Sequence, residues 1–288
     1  MSTQTIVGSG SYRYAVDKHW GRRSGGVPAF GTVSGVACDS RDRVYVFNRI
    51  PSPRMIVLDR DGNLLNEWGL GFFKHPHGIF ITPNDELYLT DRETQMVTHW
   101  TCEGRFIESW GTANEPGAPD QPFNEPTHAF VTPDGEMLVS DGYGQFRVHR
   151  YGADGHLKNS WGSKGNGPGQ FALPHDVWVD PRGRVLVCDR ENQRIQHFDR
   201  DGNYLGEWSD LYSPMQVYIK DDTIYLCEGR QRITIMTLDA EVLARWGSHG
   251  TAPEQFTNSP HSIWVDSRGD IYVSEVIVED KLTKFIRQ

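Results

Sequence analysis

The sequence predicts an all-β fold, a six-bladed β-propeller closed by an N-terminal strand that joins the last blade. Three observations carry this: a strand–turn–strand pattern repeated six times, a Trp-Gly type ending after each of the first five copies, and an orphan ending of that kind near the N-terminus. The copies are "VSGVACDSRDRVYVFN" (33–48), "PHGIFITPNDELYLTD" (76–91), "PTHAFVTPDGEMLVSD" (126–141), "PHDVWVDPRGRVLVCD" (174–189), "PMQVYIKDDTIYLCE" (214–228) and "PHSIWVDSRGDIYVSE" (260–275). Their starts are 43, 50, 48, 40 and 46 residues apart, the period of a four-stranded blade.

Each copy alternates apolar and polar residues on both sides of a turn rich in Pro, Asp and Gly. That is the pattern of a half-buried antiparallel hairpin. A third strand follows, as in "RIQHFD" and "RITIMTLD", and a fourth runs into "NEWG" (66–69), "ESWG" (108–111), "NSWG" (159–162), "GEWS" (206–209) or "ARWG" (244–247). The last copy stops at its third strand, "KLTKFI", whereas the N-terminus holds the orphan "YRYAVDKHWG" (12–21). If the orphan completes the sixth blade, no sheet edge is left open between the chain ends. Residues 1–11 are then expected to be a flexible N-terminus, and 12–288 a single propeller domain. No helix signal occurs.

Composition narrows the function. The chain has 288 residues, 37% of them apolar, with a mean hydropathy of −0.55. No run of about 18 apolar residues exists, so no membrane partner is expected. A net charge of −9 and pI of 5.6 argue against a nucleic-acid partner, which needs a basic face. Cys38, Cys102, Cys188 and Cys227 fall in separate repeats, too far apart for disulfides, and read as reduced thiols. The first residues carry no basic and apolar leader, so a cytoplasmic location is expected. Nothing in the pattern sets the oligomeric state.

The second position of each copy carries the chemistry. In order it holds Ser34, His77, Thr127, His175, Met215 and His261, with histidine in alternate blades only. In a six-blade ring that places three imidazoles about 120° apart around the channel. A mere blade consensus would put histidine in adjacent blades as well. Three neutral imidazoles meeting at one level suit a metal, expected to be zinc or another divalent ion. Three protein ligands leave a fourth position for substrate, as catalytic zinc sites do. The other eight histidines, among them His75, His99, His128, His149 and His197, lack this register and read as structural or surface groups. The turn near Arg182 sets His175 opposite Asp189, so the loop "DREN" opens beside it.

Arg49, Arg92 and Arg190 share one register just after the second strand, and Tyr143 lies one position further on in blade three. A cationic rim beside a metal suits a small anionic substrate, because guanidinium grips carboxylate with two parallel bonds. Pairing with Asp or Glu between blades is the alternative role for each arginine, and first of all for Arg92.

The repeat resembles the NHL repeat, and nearly all of 33–288 resembles the peptidyl-α-hydroxyglycine α-amidating lyases. In that family three Pro-His histidines hold zinc, matching His77, His175 and His261. The family's catalytic tyrosine sits in Ser-Asp-Gly-Tyr, matched here by "SDGYGQFR" and hence Tyr143. Its two arginines match "VYVFNR" and "DRENQRI", hence Arg49 and Arg190. The resemblance implies zinc-dependent cleavage of the C–N bond of an α-hydroxyglycine to an amide and glyoxylate. Two positions depart from it. Ser262 stands where an aspartate tied to structural calcium is usual, which leaves that site without its carboxylate, and Ser259 replaces a methionine. With no attached hydroxylating domain and no leader, amidation of secreted peptides is not the expected role. Two alternatives remain: a zinc-dependent hydrolase or hydratase on a small anion, and a non-catalytic NHL interaction propeller. A lactonase-like propeller would need carboxylate and Asn ligands for calcium, and no inward set of these is visible.

Overall fold

A computed structural model describes residues 4–21, 30–119 and 121–288. It contains six β-propeller blades and, among the described residues, no α-helix. Contacts group the chain into two compact units, residues 72–217 and residues 1–71 with 218–288.

The first unit holds blades two to four. Blade two comprises Pro76–Ile81, Glu86–Asp91, Met96–Thr101 and Phe106–Trp110. Blade three comprises His128–Val131, Met137–Asp141, Arg147–Tyr151 and Leu157–Trp161. Blade four comprises Pro174–Val179, Val185–Asp189, Arg194–Phe198 and Tyr204–Trp208. Each is an antiparallel meander in chain order. Burial falls outward: Pro76–Ile81 is buried along its whole length, whereas four residues of Phe106–Trp110 are exposed. The inner strands can therefore be apolar on both faces. Val177, Val185, Val187, Ile195 and Phe198 of blade four are almost fully buried, and each such side chain contributes about 1.5–3 kcal/mol.

The second unit holds blade one (Thr32–Cys38, Val44–Ile50, Arg54–Leu58, Leu64–Trp68), most of blade five, and blade six. In blade six, Pro260–Val265, Ile271–Glu275 and Leu282–Arg287 are completed by Tyr12–Asp17, which pairs with the third strand. The N-terminal strand thus joins the last blade as its pattern predicts. One expectation is corrected. Ile6–Ser9, placed in a flexible N-terminus, is a fifth strand paired with Tyr12–Asp17, with Ile6 opposite Ala15 and Ser9 opposite Tyr12. Val7 is buried, and Gly8 and Gly10 take positive φ at the hairpin, which glycine adopts at little cost. Residues 1–3 of that segment lie outside the described residues. The Asp-Arg-Asp-Gly-Asn turns before the fourth strands close in one way: the Asp59 carboxylate accepts the amides of Asp61 and Asn63, and Asp199 those of Asp201 and Asn203.

Candidate metal centre

The three register histidines all sit in β-bulges. In blade four Pro174 pairs with Asp189 and the next pair is Asp176 with Cys188, so His175 is the extra residue. Blade six repeats this at Pro260/Glu275 and Ser262/Ser274, leaving His261 between. In blade two the pairing steps from Pro76/Asp91 to Ile79/Leu89, and His77 falls within the shift. Pro174, rather than His175, therefore faces Asp189, which corrects the plain ladder expected from the sequence. A bulge re-aims a side chain, and proline tolerates that place because it has no ladder N–H to give.

A buried carboxylate pins each bulge from outside. Asp91 accepts the amides of Lys74 and His75 at 2.7 and 3.0 Å. Asp189 accepts those of Ala172 and Leu173 at 2.9 and 3.2 Å, and Glu275 that of Asn258 at 2.8 Å. Asp189 also accepts from Arg194 at 3.0 Å and Asn192 at 2.7 Å, with both Asp189 and Arg194 buried. On sequence alone these acids were assigned no role in holding the histidines. Their signal was the recurring acid at the last position of five copies.

Each register histidine then donates Nδ1–H to a carbonyl: His77 to Thr127 at 2.8 Å, His175 to Met215 at 2.8 Å and His261 to Ser34 at 2.7 Å. A carbonyl only accepts, so the proton is fixed on Nδ1 and the Nε2 lone pair becomes the ligand atom. The accepting carbonyls belong to Ser34, Thr127 and Met215, the second-position residues of the blades that lack histidine. All three rings are buried, and one ligand atom from each lies within 4.8 Å of the others. Nitrogens on one tetrahedral zinc stand roughly 3.3 Å apart, given bonds of about 2.0–2.1 Å. The donor set, tautomers and spacing therefore fit a divalent ion that prefers imidazole.

Tyr143 completes the arrangement. Its hydroxyl lies 3.3 Å from His77 Nε2 and accepts from Arg190 Nη1 at 3.3 Å. Its ring meets His77 edge to face at 5.6 Å and His175 at 6.4 Å. The glycines of "DGYG" explain the motif: a Cβ on Gly142 would stand 2.2 Å from the Pro174 carbonyl oxygen, and one on Gly144 2.3 Å from the Asn124 side chain. The loop is held by Asp141, buried at the base, which accepts the Asn124 amide at 2.9 Å and meets His149 Nε2 at 3.2 Å. Burial pushes the Asp141 carboxyl up, against the pull of His149. Arg190, half-buried, also reaches its neighbour Glu191 at 2.8 Å. Arg49 is half-buried near the end of Val44–Ile50. Arg92 pairs with Glu125 at 2.7 Å, the alternative role named for it.

Where the family's calcium carboxylate would be, Ser262 Oγ accepts the Val36 amide at 3.0 Å. A neutral hydroxyl there supplies no charge to a hard cation. The equivalent residue of blade four, Asp176, takes the Val217 amide at 2.8 Å and lies 2.7 Å from His128 Nδ1. Burial alone would lower the His128 pKa, but the Asp176 carboxylate, with the backbone of Ile79 and Val177, makes the net shift upward.

The NHL repeat model matches residues 171–198, the copy that contains His175 and Arg190. The chain is 30% identical to human NHL repeat-containing protein 3 over 270 residues, covering 85% of this chain and 77% of the relative. It is also 30% identical to peptidyl-alpha-hydroxyglycine alpha-amidating lyase 1 of Drosophila melanogaster over 204 residues, which spans 58% of this chain and 38% of that protein. Among solved structures, a gluconolactonase from Xanthomonas campestris superposes with a TM-score of 0.71 at 11% identity, covering 100% of this chain and 96% of that one. That likeness is one of fold.

Proposed function

This chain belongs to the NHL-repeat family of NHL repeat-containing protein 3, and on that premise we propose that it is a metal-dependent carbon–nitrogen lyase acting on a small α-hydroxyglycine-like carboxylate. The observation that carries the reading is the Tyr143 hydroxyl set between the ligand nitrogen of His77 and the guanidinium of Arg190.

His77, His175 and His261 would hold the ion, zinc by the nature of the donors. Zinc when bound supplies Lewis acidity, which lowers the pKa of a substrate hydroxyl. The chain's own residues do the rest. Arg190, with Arg49, takes the substrate carboxylate and orients the carbinol carbon. Tyr143, acting as the phenolate, receives the hydroxyl proton at Oη and becomes the neutral phenol. The C–O bond becomes a carbonyl as the C–N bond breaks, and the electron pair leaves on nitrogen. The same proton passes from Tyr143 to that nitrogen, so the products are an amide and glyoxylate with no redox partner and no added water. A base in this position is worth about 10²–10⁴-fold in rate.

The test is incubation of the purified protein with a simple N-acyl-α-hydroxyglycine and measurement of glyoxylate. Stoichiometric glyoxylate and amide, abolished by a chelator and restored by zinc, is the expected result. No product from the metal-loaded protein would overturn the proposal.

A further inference from the structure

We propose, resting on the lyase reading above, that Arg92 is the positioning residue of Tyr143. Of the two arginines seen over the phenol, Arg92 has its guanidinium closer: the carbon lies 3.8 Å from the ring centroid, against 5.6 Å for Arg190. Tyr143 needs such a support. It is half-buried, and its neighbours Gly142 and Gly144 carry no side chain that could brace the phenol. Its hydroxyl contacts to His77 and Arg190, both 3.3 Å, are long for an O–H bond and do not fix the ring by themselves.

Arg92 is itself anchored twice. Its amide donates to the His75 carbonyl at 3.1 Å, and its Nη2 donates to Glu125 Oε2 at 2.7 Å. The Glu125 carbonyl accepts the Tyr143 amide at 3.4 Å, and the Glu125 amide donates to Gln95 Oε1 at 2.6 Å. One glutamate therefore holds both the backbone of Tyr143 and the cation over its ring. A planar guanidinium suits that face, where a lysine ammonium would offer only a point charge. The ion pair that looked merely structural holds the cation against the face of the phenol.

The experiment uses the metal-loaded full chain and a simple N-acyl-α-hydroxyglycine. Arg92→Met should lower kcat about 10–100-fold, the usual size for a supporting residue, with KM within a few-fold and metal content unchanged. Glu125→Gln, which keeps the arginine and weakens its anchor, should lower kcat by a smaller factor in the same direction. A large rise in KM at constant kcat would make Arg92 a substrate-binding group and overturn the proposal, as would an unchanged kcat in both variants. A second readout does not need activity: in protein carrying 3-fluorotyrosine, with the Tyr143 resonance assigned through Tyr143→Phe, Arg92→Met should move that ¹⁹F resonance and leave those of tyrosines remote from the site in place. Wild-type protein with no lyase activity would sink the functional reading, and the ¹⁹F resonance would then decide on Arg92 alone. A resonance that stays put overturns the stacking.

Discussion

The bulge histidines and the other buried histidines are the same residue in similarly dry surroundings, yet their chemistry diverges. His77, His175 and His261 each spend Nδ1–H on a carbonyl, which carries no charge and leaves a neutral ring with its lone pair available. His128 and His149 instead meet the buried carboxylates of Asp176 and Asp141, at 2.7 and 3.2 Å. For His128 the net shift is upward, towards the imidazolium, which has no lone pair to give a metal. His197 represents a third case: packed against Trp208 with ring centroids 4.1 Å apart, it is pushed down to about 4 by burial and then by Arg184. The partner of the second nitrogen, more than burial, decides which histidines can be ligands.

That comparison breaks most sharply at the ligands themselves. Alanine at His77, His175 or His261 should each lower lyase activity roughly a thousandfold or more, the several kcal/mol a Lewis acid supplies. His99→Ala and His197→Ala should leave activity near that of the wild type. The clamp comes next. Asp189→Ala strands the amides of Ala172 and Leu173, while Arg194 keeps Glu207 and two carbonyls, and should cost about 1–3 kcal/mol in denaturant unfolding. Tyr143→Phe keeps the ring and removes the proton acceptor. Its kcat should fall about 10²-fold or more while the metal stays bound.

A further expected effect, on stability rather than activity, is the pH dependence that His197 imposes. Its folded pKa of about 4 lies below the unfolded value of 6.5, so the unfolded chain binds more protons between the two. Stability from this group is complete above pH 6.5 and is lost as pH falls towards 4, by up to about 3 kcal/mol. His197→Gln should flatten that part of the stability profile, as read by urea unfolding at several pH values. An unchanged slope would assign it to other groups.

The blades were legible because their signals are local: alternation at period two, turn residues, and a repeat length that turns sequence register into position around a ring. The same repetition made the alternation of Ser34, His77, Thr127, His175, Met215 and His261 readable as geometry. Three things were not legible. A one-residue bulge leaves no mark in "PHDVWV", which reads as an unbroken strand. The Nδ1 partners are backbone carbonyls, and a carbonyl has no residue type to find. Ile6–Ser9 is four residues with a glycine inside, too short for its alternation to stand out from a turn. Arg92 shows a further limit, since register gave its neighbourhood but not which way its charge would turn.

Elemental analysis of the wild-type protein beside the His77→Ala, His175→Ala and His261→Ala variants tests the ligand assignment most directly. About one zinc per wild-type chain, falling to a trace in each variant while the fold persists, is the predicted outcome. Equal metal in wild type and variants, or none in protein dialysed against zinc, would contradict it.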